Sequence, residues 1–139
     1  MISYFQQDCD FELENEEKIS NWILETFKKE GVSKKIIMSI IFNSDEALLE
    51  MNKQFLDHDY YTDIITFPIE ETETELEAEL YISIDRVKEN AEDIGVSFEN
   101  ELHRVIIHGT LHLCGFGDKT ESEEKLMRQK EDEYLAVLD

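Results

Sequence analysis

His108 and His112 stand four residues apart in HRVIIHGTLHLCGFGD, residues 103–118. An α-helix rises about 1.5 Å per residue, so side chains at i and i+4 lie about 6 Å apart along the axis and share a face. Two imidazoles so placed reach one tetrahedral metal ion. Gly115, three residues past His112, can take the positive φ that ends a helix and turns the chain back. Asp118 follows three residues later, completing His-x-x-x-His-x-x-Gly-x-x-Asp, with three donors for one divalent ion. A His-x-x-x-His pair alone is more often two satisfied core histidines; the glycine and a third donor at this spacing turn the balance toward a metal. Three protein ligands leave a fourth position open to water, as in catalytic zinc sites. The chemistry expected is hydrolysis, with the metal acidifying water and polarising a phosphoryl or carbonyl oxygen.

The same spacing, with imidazole in third place, occurs in metzincin proteases, which carry a glutamate general base directly after the first histidine. Here that residue is Gly109, so a peptidase would lack its proton acceptor. Hydrolysis of another ester is the leading expectation, with an amidase or peptidase, or a non-catalytic protein with a structural metal, as alternatives. Arg104, one turn before His108, could meet a phosphate as a bidentate donor, or form a surface ion pair near Glu101. Cys114 points away from the His112 face and reads as a small buried hydrophobe rather than a fourth ligand. Phe42, Phe55 and Phe67 read as core before base-stacking platforms, and His58 as an exposed loop residue.

These residues need a scaffold, and the chain supplies alternating signals for one. Residues 2–7 alternate as a short strand. Ile19, Trp22, Ile23 and Phe27 recur on one face of a helix from about Asn15 to Glu30, stopped at Gly31. Lys34 to Asn43 reads as a strand buried on both faces. Ser44 caps a helix ending near Leu56; residues 57–61 form a loop, and Asp63–Pro68 a strand. The glutamates at 70, 71, 73, 75, 77 and 79 read as a solvated loop or edge. Leu80–Ile84 is a further strand. Asp85 caps a helix to Ile94, Ser97 caps the longer histidine-bearing helix, and Thr120 with Glu123 forms a capping box for a last helix to about Val137. That final helix mixes Glu123, Glu124, Glu131 and Asp132 with Lys125, Arg128 and Lys130, which reads as a solvated face. The expectation is one α+β domain over residues 1–139: a mixed sheet of about four strands with helices against it, and the metal site on a central helix and the loop after it.

The 139 residues carry 13 Lys+Arg against 34 Asp+Glu, a formal charge of −21. A field of that sign repels phosphates, which argues against DNA and anionic membranes as partners. Residues 102–119 alone sum to +1, suggesting a locally electropositive site. Two cysteines make no disulfide framework, and neither a secretory signal nor a long apolar run is present, so a reducing cytoplasmic setting is expected.

Three segments resemble the YbeY-type endoribonucleases of bacterial rRNA maturation. HGTLHLCGFGD, residues 108–118, is similar to that family's His-Gly-x-Leu-His-Leu-x-Gly-[Phe/Tyr]-Asp-His signature. MNKQFLDHDYYTDIITFP, residues 51–68, is similar to its Leu-Asn…Thr-Asp-Val-Leu-Ser-Phe-Pro block, and ELYISIDRV, residues 79–87, to its Gly-Asp-Ile-x-Ile-Ser segment. The resemblance implies a zinc-dependent endoribonuclease that cleaves single-stranded RNA, working with the small ribosomal subunit or its associated proteins in rRNA maturation and ribosome quality control. It places the metal ligands on His108, His112 and Asp118. Aspartate in third place departs from the family's histidine; its charge would make a bound water less acidic and shift preference toward harder ions such as Mn²⁺. Leu56 stands where most of the family has an arginine thought to act in catalysis, and Gly117 where it has an aspartate. Lys119, beside Asp118, could supply the missing cation. Thr62 and Asp63 fall in the family's Thr-Asp pair, read here as a structural turn cap.

Overall fold

Period-two alternation of apolar residues builds four strands: β1 (Ile2–Gln6), β2 (Lys35–Asn43), β3 (Ile64–Glu71) and β4 (Glu75–Ser83). The computed structural model describes residues 1–58 and 61–138. The strands form one sheet in the order β1-β2-β4-β3; β1, β2 and β4 are parallel and β3 is antiparallel to β4. Among the described residues, five helices complete the α+β domain: α1 (Glu16–Lys29), α2 (Asp45–Leu56), α3 (Ile84–Ile94), α4 (Phe98–Leu113) and α5 (Glu121–Leu138). No described helix is long and apolar enough to cross a membrane.

Register sorts the side chains. Ile40, Leu80 and Ile82 lie on one face of the sheet with Ile64, and Ile41, Tyr81 and Ile65 on the other. The first face meets α1 and α4 in the main core, where Ile23, Ile40, Leu80, Ile106 and Ile107 are fully buried. Each such side chain contributes about 1.5–3 kcal/mol through burial. Across the other face lies α2, whose Phe55 ring meets Phe67 edge-on at 6.2 Å between centroids.

Gly109 shows how closely α4 lies on the sheet. A Cβ there would sit 2.7 Å from Ile64 Cδ1 and 3.1 Å from both Leu80 methyls. Only a hydrogen fits, and the helix axis comes nearer the strands because of it.

Three local expectations change. The glutamate-rich stretch is a hairpin, and β4 is an interior strand: Leu76, Ala78 and Leu80 point into the core while Glu75 and Glu77 face solvent. Charge density hid a period-two pattern. The cap of α3 is Ser83, whose hydroxyl accepts from Arg86 N at 3.1 Å, while Asp85 instead accepts from Asp45 N at 3.0 Å. Phe55 is 63% exposed rather than core. Other caps stand as read: Ser44 and Ser97 accept from Ala47 N and Asn100 N, and Thr120 and Glu123 cap α5 reciprocally. Asp59 and Tyr60 of the 57–61 loop lie outside the described residues.

Candidate metal centre

Helix α4 carries Glu101, Arg104, His108 and His112 at three- and four-residue steps, one line down one side. Gly115, at φ +105°, turns the chain at the helix end, and Phe116 N closes the turn onto Leu111 O at 3.1 Å. The chain thus folds back and delivers Asp118 to the two imidazoles. His108 Nε2 and His112 Nε2 are 3.0 Å apart, and Asp118 Oδ2 lies 3.4 Å from the first and 3.2 Å from the second. One donor atom from each residue falls within 4.8 Å of the others, so this His-His-Asp cluster could hold a metal ion. The donor set fits such an ion chemically. Both imidazoles direct Nε2 to the shared point, with Nδ1 tied down: that of His112 donates to Phe116 O at 2.8 Å, and that of His108 meets Glu131 Oε2 at 2.7 Å. Backing partners of this kind fix the tautomer of a metal-ligating histidine.

A cleft of about 710 Å³ opens beside the cluster. His108 and Asp118 stand at one side, Asp63 and Glu101 line it from β3 and α4, and α5 forms the facing wall. Six carboxylates and three basic side chains line this space, so the site is not locally electropositive. The +1 of residues 102–119 counted only charges near in sequence; folding adds Asp63 and the carboxylates of α5.

Burial alone would push the His108 imidazole down, but the hydrogen bond to Glu131 and the charges of Glu131, Asp63 and Asp118 hold it above the usual histidine value. Burial pushes the Asp63 carboxyl up, with His108 and the backbone N–H groups of Asp63 and Ile64 opposing. Glu101 is raised by burial and by Asp63, and its Oε1 has no hydrogen-bond partner among the described residues. Burial drives the Cys114 thiol up to about 12, and its side chain packs on the core.

Arg104 reaches the cleft with its guanidinium already occupied, Nη1 on Glu131 at 3.0 Å and Nη2 on Asp132 at 2.8 Å, rather than paired near Glu101. Lys119 is exposed beside Asp118 and does not line the cleft. Leu56, at the end of α2, is 41% exposed and also outside it. At Gly117, an added Cβ would meet the flexible end of the Glu123 side chain, which would have to shift from its place in the capping box of α5. Glu131 was read as part of a solvated face; it is 4% exposed. A signal for this existed, because Met127, Glu131, Tyr134, Leu135 and Leu138 share one buried stripe of α5, and an acid on such a stripe needs a partner.

Comparison with known proteins identifies the family. A family model described as Endoribonuclease YbeY matches residues 1–139. Endoribonuclease YbeY of Cytophaga hutchinsonii is 47% identical over 98% of this chain and 94% of its own length. That of Flavobacterium psychrophilum is also 47% identical, over 99% and 96%. The solution structure of TM1509 from Thermotoga maritima is similar with a TM-score of 0.61 and 32% identity, covering 99% of this chain and 89% of that one.

Proposed function

The chain belongs to the YbeY endoribonuclease family, and from that membership we propose that it is a zinc-dependent hydrolase cleaving single-stranded RNA in rRNA maturation and ribosome quality control. The ligands are His108, His112 and Asp118. The observation that carries the reading is the convergence of two Nε2 atoms and one carboxylate at the side of a deep cleft. Such an ion, Zn²⁺ or a harder one such as Mn²⁺, supplies Lewis acidity toward a phosphoryl oxygen and a more acidic water when bound.

The remaining work falls to the chain. Lys125 and Arg128 line the wall on α5 and are exposed, suited to hold RNA phosphates where Leu56 leaves no arginine. Lys119 stands next to Asp118 in the chain, exposed and outside the cleft lining. Asp63, whose carboxyl burial raises above the usual carboxylate value, lines the cleft together with His108 and Asp118. A peptidase is disfavoured on steric grounds as well: the position of the protease glutamate is Gly109, pressed against Ile64 and Leu80 of the sheet. The net charge of −21 argues for delivery by a partner, the small ribosomal subunit or a protein bound to it, in the cytoplasm, and against DNA and membranes.

The test incubates metal-loaded protein and its His112→Ala variant with single-stranded RNA and with a peptide library. RNA cleavage lost in the variant supports the reading, and peptide cleavage overturns it. No cleavage of either, with a large fall in melting temperature on chelation, makes the metal structural.

A further inference from the structure

Glu131 is 4% exposed on a stripe of α5 otherwise made of Met127, Tyr134, Leu135 and Leu138. An apolar side chain would pack there without the desolvation cost of a carboxylate, so the charge calls for a use. Both its oxygens are engaged. Oε2 lies 2.7 Å from His108 Nδ1, and Oε1 accepts from Arg104 Nη1 at 3.0 Å, while Arg104 Nη2 is anchored on Asp132 at 2.8 Å. We infer that Glu131 is the positioning residue of the metal centre, holding His108 as the Nδ1–H tautomer with the Nε2 lone pair turned to the donor cluster, and that Arg104 acts through Glu131 rather than on RNA.

The contrast with His112 supports this. Both rings present Nε2, 3.0 Å apart. His112 is tied to a neutral carbonyl four residues away in its own turn, and His108 to a buried carboxylate 23 residues away on another helix. A carboxylate behind the ring raises the basicity of the ligating nitrogen more than a carbonyl does. The contribution of His108 to the centre therefore depends on how α5 docks on α4. The inference rests on the metal-centre reading proposed above, and its test separates the two.

Metal-stripped full-length chain is titrated with Zn²⁺ against a chromophoric chelator for wild type, Glu131→Met, Glu131→Gln and His112→Ala. Metal-free melting curves and long-range ¹H–¹⁵N spectra of the His108 ring are recorded alongside. Glu131→Met keeps the side-chain length and removes the acceptor; it should weaken zinc about 10- to 100-fold and give mixed His108 tautomers in the metal-free state. Glu131→Gln, whose amide oxygen still accepts from Nδ1–H without the charge, should fall between Glu131→Met and wild type. Wild-type affinity and a wild-type ring spectrum in Glu131→Met overturn the inference. So does a lower metal-free melting temperature with unchanged affinity, which would make Glu131 only a clamp between helices. If Glu131→Met does not fold, Glu131→Gln decides: unchanged affinity overturns. If His112→Ala binds zinc like wild type, the metal-centre reading falls and the inference with it; if it loses zinc while Glu131→Met does not, the inference alone falls.

Discussion

The two sides of the cleft are built from different materials. On the α4 side the donors are two imidazoles and one carboxylate, half-exposed, and placed by one helix and the turn that follows it. On the α5 side Glu131 and Asp132 grip Arg104, which reaches across from α4, and Glu131 is almost fully withdrawn from water. The first side can exchange a ligand because water reaches it. The second cannot move without leaving a buried charge unpaired, which costs about 3–5 kcal/mol. Their difference teaches a division of labour: one buried carboxylate on an otherwise solvated helix contacts one ring of an accessible donor set.

The sharpest way to break this comparison is to remove a donor from the accessible side. His112→Ala should cost two or more orders of magnitude in zinc affinity, about 3 kcal/mol or more, and abolish RNA cleavage. Chelator competition and a cleavage assay check both. Packing beneath the donors comes next. Gly109→Ala should destabilise the fold by about 1–3 kcal/mol, because the new methyl overlaps Ile64. Denaturant unfolding reads the loss, and zinc affinity per folded molecule should barely change. On the wall side, Thr120→Ala removes half of the capping box of α5 and should cost about 0.5–2 kcal/mol. Arg104→Gln should weaken zinc several-fold and leave RNA binding to the zinc-saturated protein unaltered; a loss of RNA affinity at saturating zinc would return Arg104 to phosphate contact.

Two smaller effects follow from protonation. His108 titrates above its usual value near 6.5. In the metal-free chain, its protonated pairing with Glu131 stabilises the fold at low pH, and that contribution is lost as pH rises through the raised value. Zinc must displace the same proton, so its affinity rises across the same window. Opposite slopes of metal-free melting temperature and zinc affinity above pH 6.5 are the expected result. Asp63 has the reverse sign from an ordinary paired acid. Its carboxyl is raised above 3.8, so the cost of burying its charge is absent in acid and present at neutral pH. Asp63→Asn should stabilise the metal-free chain slightly at pH 7 and not at all below pH 3.8, as melting curves at the two values would show.

Much of the donor side is legible in the sequence because its determinants are local. Helical periodicity puts His108 and His112 on one face, and Gly115 supplies the turn that returns Asp118 to them. Four strands, five helices and most caps follow from the same short-range rules. The glutamate stretch misled because six acids obscured Leu76, Ala78 and Leu80, whose alternation makes β4 an interior strand. The net sign of the cleft misled because charge counted along the chain omits what folding adds from β3 and α5.

Composition, period and spacing by themselves determined an acidic α+β chain with a His-His-Asp donor set, since helix geometry and glycine turns act over a few residues. Only the tertiary structure decided that Glu131 is buried against His108, that Arg104 is occupied by α5, that Asp63 and Glu101 face the same cleft, and that a hydrogen is all that fits at Gly109. Those are contacts between elements far apart in the chain. Their free energy comes from excluding water between packed surfaces, and no local pattern of residues encodes which surfaces will meet.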